Sequence, residues 1–375
     1  MKIAILTYYT FPNYGTLLQA YALWKFLEER GHDVVFLDEP YGRSMFPYRP
    51  ISIKDFVAKH PFSAAKAAIV RHFNAKMTEF NQIFPRSAHF DSINEMVAGC
   101  REYDAVVVGS DLVWHPKWCA PKFTRIAFLD FLSSRSLRVS LSPSFSATSW
   151  DAPDKELAGQ LLRKFNKIGV REKSGQAIVR DISGREDVSV LIDSALLLTG
   201  ASYVQLLKLK KLHLEDYVFV YMLKTAMNGE CQRILETILE RKHIAHVKTR
   251  FEAPGGSICR SLCKALRIQS YVSVTEWLSR LSNSKFVFTD SFHGTVFSIL
   301  FHKPFITVRR SDISGLNERL ISLLSLLGIE DRFVELGDID NVECVLQKEI
   351  NWDAVDLILY KERNKVSGFL SEVGI

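Results

Sequence analysis

Residues 2–40 read "KIAILTYYTFPNYGTLLQAYALWKFLEERGHDVVFLDEP". The run "KIAILTYY" is a continuous apolar strand, and "TFPNYG" is a turn made of Pro, Asn and Gly. Leu17, Leu18, Tyr21, Leu23, Trp24 and Leu27 then recur at helical spacing, and Gly31 stops the helix. "HDVVFLDEP" is a second strand. A strand, a helix and a strand in this order form a crossover, which implies parallel pairing and an α/β sheet.

The same design recurs downstream. Apolar runs followed by polar residues appear in "YDAVVVGSDLVW" (103–114), "SLRVSLSPSF" (136–145), "NKIGVREKSG" (166–175) and "VSVLIDSALLL" (188–198), which closes the first unit. Residues 50–100 read as helical and partly amphipathic. The segment 199–216 reads as a connection, and "YVFVYML" (217–223) starts a second alternating series. That series continues with a helix at 230–242, a strand near "HIAHVKTR" (243–250), a loop "APGGS" (253–257) and a helix near 275–283. "FVFTD" and "PFITVRR" are its last strands, and 351–373 reads as a long helix. The expected organisation is two α/β units facing a cleft, spanning 1–200 and 201–350, with 351–375 packing back on the first.

Bulk properties fit a folded enzyme. The chain of 375 residues is 47% hydrophobic and 24% charged, which argues for two domains and against wholesale disorder. The six cysteines lack metal or disulfide spacing, and the opening "MKIAILTYYT" lacks the two halves of a signal peptide. A cytoplasmic protein is therefore expected, at the inner face of a membrane if its basic clusters meet anionic lipid. The net charge of +6 gathers in "KLKKLH" (208–213), "RRSD" (309–312) and Lys66 to Lys76, suiting an anionic substrate or an anionic bilayer. An apolar and aromatic stretch at 46–62 adds to the case for peripheral membrane contact. No aromatic and basic stripe accompanies the charge, so no nucleic acid is expected as a partner.

In an open parallel sheet, ligands bind beyond the carboxyl ends of the strands, where helix starts also offer free N–H groups. Five such ends carry polar residues. In "FVFTDSFHGTVFSIL" (286–300), a helix cap accounts for Asp290 or Ser291 and leaves His293 and Gly294 unexplained. Asn13 and Gly15 precede the first helix, where an ordinary turn explains them equally well. Asp111 is either a cap or a base for a hydroxyl proton. Arg171 can grip a carboxylate or phosphate with two prongs, or form a surface pair with Glu172; Lys173 follows it. Arg309 and Arg310 point in different directions, so at most one reaches the cleft. The histidines show no ligand spacing, and no metal site is expected.

The segments "NYGTLLQAYALWKFLEERGHDVVFLD", "YDAVVVGSDLVWHP", "VREKSG", "VLIDSALLL", "TDSFHGTVFSILFHKPFITV" and "NERLISLLSLLGIEDR" occur in that order. As an ordered set they resemble the polysaccharide pyruvyl transferase family from Lys2 to about Phe333. The resemblance implies two Rossmann-like domains in the GT-B arrangement, with the acceptor on the first domain and the donor on the second. It implies transfer of pyruvate from phosphoenolpyruvate onto two sugar hydroxyls as a cyclic ketal, in capsule, exopolysaccharide or cell-wall polymer biosynthesis. The acceptor would be a free or lipid-linked glycan, and no cofactor is implied.

By the same resemblance, Arg171 would hold the donor, with Arg309 or Arg310 as second cation. His293 would be general acid or phosphate ligand, Asp111 the base, and Asn13 and Gly15 would line the acceptor side. Many family members carry arginine two residues before the histidine, where this chain has Ser291. Arg309, Arg310, Arg171 or Lys173 would have to compensate. A GT-B glycosyltransferase using a nucleotide sugar, for which Glu276 or Glu318 would grip a ribose, is the alternative reading. A non-catalytic glycan-binding protein is a third.

Overall fold

The computed structural model describes residues 1–40, 77, 79–119, 123–212, 216–223, 229–244, 250–251, 272–310 and 314–375. The stretch 46–62, the basic run 66–76, the loop 253–257, Cys259 and Cys263 lie outside the described residues, as does most of 243–250.

The first sheet has seven parallel strands in the order β3-β2-β1-β4-β5-β6-β7. Its strands are β1 (Lys2–Leu6), β2 (Asp33–Asp38), β3 (Arg86–His89), β4 (Ala105–Val108), β5 (Leu137–Ser140), β6 (Lys167–Val170) and β7 (Val188–Val190). The crossover read from 2–40 is present: Ile3 pairs with Val34 on one side and Ala105 on the other. Both faces of β1 and β4 are covered, which is why they read as unbroken apolar runs. The edge strand β3 falls within a region read as helical. Its four residues, Arg-Ser-Ala-His, alternate between exposed and half-buried and carry no β-branched signal.

The second sheet has five strands in the order β12-β11-β10-β8-β9. These are β8 (Val218–Tyr221), β9 (Arg250–Phe251), β10 (Phe286–Thr289), β11 (Phe305–Val308) and β12 (Phe333–Val334), again paired in parallel. In both sheets the order reverses beside a central strand, the place where an open α/β sheet leaves a crevice.

Six helices position the site: α1 (Tyr14–Glu29), α2 (Lys173–Ser183), α3 (Val274–Ser282), α4 (Phe292–Leu300), α5 (Glu318–Leu327) and α6 (Trp352–Ser371). Helix α6 returns to the first domain, where Arg363 donates to the Leu196 carbonyl at 2.7 Å and Lys365 to that of Val190 at 2.8 Å. Among the described residues no helix is long and apolar enough to cross a membrane.

The domains meet through an aromatic cluster. Tyr14, the first residue of α1, stacks on Trp277 of α3 with centroids 4.8 Å apart, and its hydroxyl donates to the Val272 carbonyl at 3.1 Å. Tyr221 at the end of β8 and Phe297 of α4 meet the same indole edge-on, at 5.2 and 5.8 Å. One continuous apolar core therefore runs from β1 to β11 across both sheets.

Candidate functional site

Most of the polar residues read from the sequence follow the carboxyl end of a strand. Helix α1 begins just past β1, and Asn13 caps it by accepting from the Thr16 amide at 3.2 Å. Past β4 the chain turns through Gly109 and Asp111, both at positive φ (114° and 57°). Asparagine and aspartate are the side-chain-bearing residues that best tolerate that conformation. Asp111 is buried, and its Oδ2 accepts from Thr16 Oγ1 at 2.7 Å, which ties the β4 turn to the start of α1.

Arg171, following β6, does not pair with Glu172. Its Nη2 meets Asp193 Oδ2 at 2.5 Å and also donates to Ser110 Oγ. Asp193 follows β7; its Oδ2 accepts from Ser110 Oγ at 3.0 Å and its Oδ1 from the Ala195 amide at 2.8 Å. Burial pushes the Asp193 carboxyl up, but Arg171, His293 and the Ala195 amide overcome it and hold it below the usual carboxylate range. Glu172 turns the other way and accepts from the amides of Phe145 at 2.8 Å and Ser146 at 3.1 Å. Burial raises its carboxyl, an effect that Arg171 and those amides partly offset.

From the second domain, α4 brings His293. Its Nε2 faces Asp193 Oδ1 at 3.7 Å, and the ring lies against α1 so closely that a Cβ on Gly15 would stand 1.9 Å from Nδ1. Gly15 is thus the contact that lets the histidine sit at the start of α1. Ser291 is the cap of α4, accepting from the Gly294 amide at 3.2 Å. Gly294 lets α4 lie close on β10, since a Cβ there would come 2.5 Å from Thr289 Oγ1. Asp290 accepts from the Leu223 amide at 2.6 Å and ties this turn to β8. Replacing Ser291 with alanine is expected to cost about 1 kcal/mol of stability through loss of the cap. A urea titration would measure it.

The second cation comes from an unexpected place. Arg319, on α5, is 8% exposed, beside Arg171 at 5%. Both guanidinium carbons lie near the Phe292 ring centroid, at 5.0 Å for Arg171 and 5.1 Å for Arg319. Nε and Nη1 of Arg171 and Nε of Arg319 are buried without hydrogen-bond partners. Burial lowers the Arg319 guanidinium to about 10, as does Arg171; Asp111 and Glu172 pull it back up, and Arg310 lowers it again. Leaving buried cationic N–H groups unpaired is costly. Both arginines line one cavity, and N–H groups of this kind can hold a planar or tetrahedral anion. The two arginines, Lys173, Phe292, Glu362 and Lys365 help to line a cavity of about 380 Å³ between the domains.

The remaining arginines divide as their adjacency requires. Arg309 pairs with Glu335 and covers the Phe333 ring at 4.6 Å, on the β12 side of the second sheet. Arg310 is buried, its backbone bonded to the Asn317 side chain, within electrostatic reach of Arg319. Lys173 stands exposed at the rim of the cavity. Glu276 pairs with Arg280 along α3 at 2.5 Å, whereas Glu318 lines the cavity. Among the described residues no group of three His, Cys, Asp or Glu side chains could hold a metal ion.

Sequence reading overlooked Asp193 and Arg319. The "VLID" run carried the same apolar-then-acid signature as the other strand ends, so Asp193 was within reach. Arg319 lies in an amphipathic helix, where an arginine reads as solvated, and only the packing of α5 against the cleft buries it.

A scan against family models matches residues 13–312 to the family described as polysaccharide pyruvyl transferase. Comparison with curated proteins finds none that matches. Among solved structures, UDP-GlcNAc 2-epimerase from Methanocaldococcus jannaschii is similar with a TM-score of 0.53 and 12% identity, over 94% of this chain and 93% of that one. A complex of the M. jannaschii epimerase with UDP-GlcNAc and UDP has a TM-score of 0.51 and 15% identity, over 99% and 100%. At such identities the likeness is one of fold, and the fold is the two-domain GT-B arrangement. With the family model spanning most of both domains, the chain belongs to the polysaccharide pyruvyl transferase family.

Proposed function

We propose that the protein transfers pyruvate from phosphoenolpyruvate onto two hydroxyls of a glycan sugar, forming a cyclic ketal and releasing inorganic phosphate. The observation that carries this reading is the pair of buried guanidinium groups, Arg171 and Arg319, with unpaired N–H groups beside a cavity. Phosphoenolpyruvate carries a carboxylate and a phosphate on one carbon, C2, and two guanidinium groups lining one cavity match that pair of anions. Arg319 takes the place of the arginine that many relatives carry where this chain has Ser291.

In this mechanism His293, held between Gly15 and Asp193, delivers a proton to the enol methylene, which becomes the methyl group. Asp111, fixed by Thr16, takes the proton from the first sugar hydroxyl as its oxygen bonds to C2. Phosphate then departs with the proton that Asp111 took up, and the second hydroxyl closes the ketal as its own proton returns to His293. Asp193 positions both Arg171 and His293, so donor grip and proton delivery share one carboxylate. The acceptor belongs to a capsule, exopolysaccharide or cell-wall glycan, free or lipid-linked, and the enzyme works in the cytoplasm, touching the inner membrane face where its acceptor is lipid-linked.

The test is a thermal-shift titration with phosphoenolpyruvate and, separately, with UDP- and GDP-sugars, on wild type and His293→Ala. At a hundredfold excess over Kd, a ligand of the folded state stabilises by about 2.7 kcal/mol. The expected result is a shift with phosphoenolpyruvate alone, reduced in the variant, together with phosphate release when a sugar acceptor is added. A shift with a nucleotide sugar alone would overturn the donor assignment and leave the fold standing.

A further inference from the structure

A second cavity, of about 500 Å³, is lined by the stretch that follows the Asp111 turn. Its lining includes His115, Lys117, Thr148, Ser149 and Asp151 of the first domain and Gly315 of the second. Its size falls in the range of roughly 300–1,000 Å³ usual for small-ligand sites. The two loops that build it are those that hold Asp111. Residues 115–117 follow Asp111 on the same turn, and the 144–153 loop is fastened to it by the Ser144 amide, which donates to the Asp111 carbonyl at 2.7 Å. The second domain closes against this loop, since a Cβ on Gly315 would stand 2.1 Å from the Ser146 carbonyl oxygen.

The chemistry differs from that of the donor cavity. One ammonium, Lys117, is balanced by one carboxylate, Asp151, and the rest of the polar lining is hydroxyls and an imidazole. The Lys117 amide donates to His115 Nδ1 at 3.2 Å, which places the ring proton on Nε2 as a donor. Burial, with Lys117 and Arg319 adding to it, lowers His115 to about 4, so it is uncharged at neutral pH. A neutral wall of mixed donors and acceptors suits a polyol and offers little to a phosphate. Beside it Trp118 stacks on His115 with centroids 4.6 Å apart and stays 42% exposed. An exposed indole face attracts the axial C–H bonds of a pyranose, which carry the opposite partial charge.

We propose that this cavity is the acceptor subsite: it takes one neutral pyranose ring, whose hydroxyls bond to Asp151, Ser149 and His115 Nε2, while the next sugar of the glycan lies on Trp118. The inference rests on the transferase reading above and adds where the acceptor sits and what class it belongs to. Asp151 binds the vicinal hydroxyls of the ring, and the two loops that form the cavity meet at the Asp111 backbone.

Saturation-transfer NMR with a panel of methyl hexopyranosides and their disaccharides tests it on wild type, Asp151→Ala and Trp118→Ala, with the phosphoenolpyruvate thermal shift measured alongside. Both residues are exposed, so both variants are expected to fold. Glycosides should bind the wild type, and Asp151→Ala should weaken them about tenfold. Trp118→Ala should weaken disaccharides about tenfold and monosaccharides less, with Trp118→Phe restoring the difference. The phosphoenolpyruvate shift should be the same in all. No glycoside binding to wild type, or binding untouched in both variants, would overturn the subsite. Loss of the phosphoenolpyruvate shift in the variants would overturn it too, because the cavity would then not be separate from the donor site. Glycoside binding that depends on Asp151, in a protein that phosphoenolpyruvate does not stabilise, would remove the donor reading and support this one.

Discussion

Asp193→Ala is expected to destabilise the protein by about 3–5 kcal/mol, the usual cost of removing one partner from a buried ion pair. The pair is enclosed: the side chains of Arg171 and Asp193 are 3% and 0% exposed. Removing the carboxylate leaves a buried guanidinium without its counter-charge, since Nε and Nη1 already lack partners. It also removes the acceptor for the Ala195 amide and leaves Ser110 Oγ with the Ser142 carbonyl at 3.1 Å. The companion Arg171→Met with Asp193→Leu should regain much of the lost stability while remaining inactive, because the desolvation penalty then disappears with both charges. Urea titrations measure the stability, and phosphate release from phosphoenolpyruvate measures the activity.

The pH dependence of the same experiment has a definite sign. The Asp193 carboxyl is held lower in the folded protein than the value of about 3.9 it takes in an unfolded chain. Its contribution is therefore complete above that pH and is lost as pH falls through the folded value. The gap between wild type and Asp193→Ala should be constant near neutrality and narrow progressively below about pH 3.9. A gap that stays fixed in acid would mean that the ion pair is not its source.

Gly15→Ala is expected to cut turnover by about a hundredfold or more, the scale reached when a reacting group is misplaced by about 1 Å. The new methyl carbon would stand 1.9 Å from His293 Nδ1, 2.2 Å from Cγ and 2.7 Å from Cβ. The ring is bounded by Phe292, edge-on at 5.1 Å, and by Asp193 facing Nε2. Either His293 leaves its place or α1 backs away from α4. Overpacking of this kind adds a stability cost of roughly 1–3 kcal/mol. Steady-state phosphate release with acceptor present measures the effect. Wild-type turnover in Gly15→Ala would show that the position of His293 is irrelevant to the reaction.

Much of this architecture was legible because buried parallel strands and capped helices leave local marks. The crossover at 2–38, the strand ends at Asp111 and Arg171, and the turn at 289–294 could all be read without coordinates. The cap at Ser291 was also legible, as the plainer of two readings. What escaped notice depends on non-local packing. Strand β3 is short, polar and at an edge, so it carries almost no pattern. Arg319 is buried by an interdomain contact that no window around residue 319 contains. Arg171 adjoins Glu172 in sequence, yet the sheet sends the two side chains to different partners, and the true counter-ion lies one strand further along.

The indole of Trp277, gripped by Tyr14 from one domain and by Tyr221 and Phe297 from the other, has a thermodynamic consequence. A pair of domains joined by a small polar contact can melt separately, each at its own temperature. Here one apolar core runs through both domains, so heat is expected to release both together in one cooperative event. A molecule seated in either cavity then raises the melting point of the whole chain, and two such contributions add within that one transition.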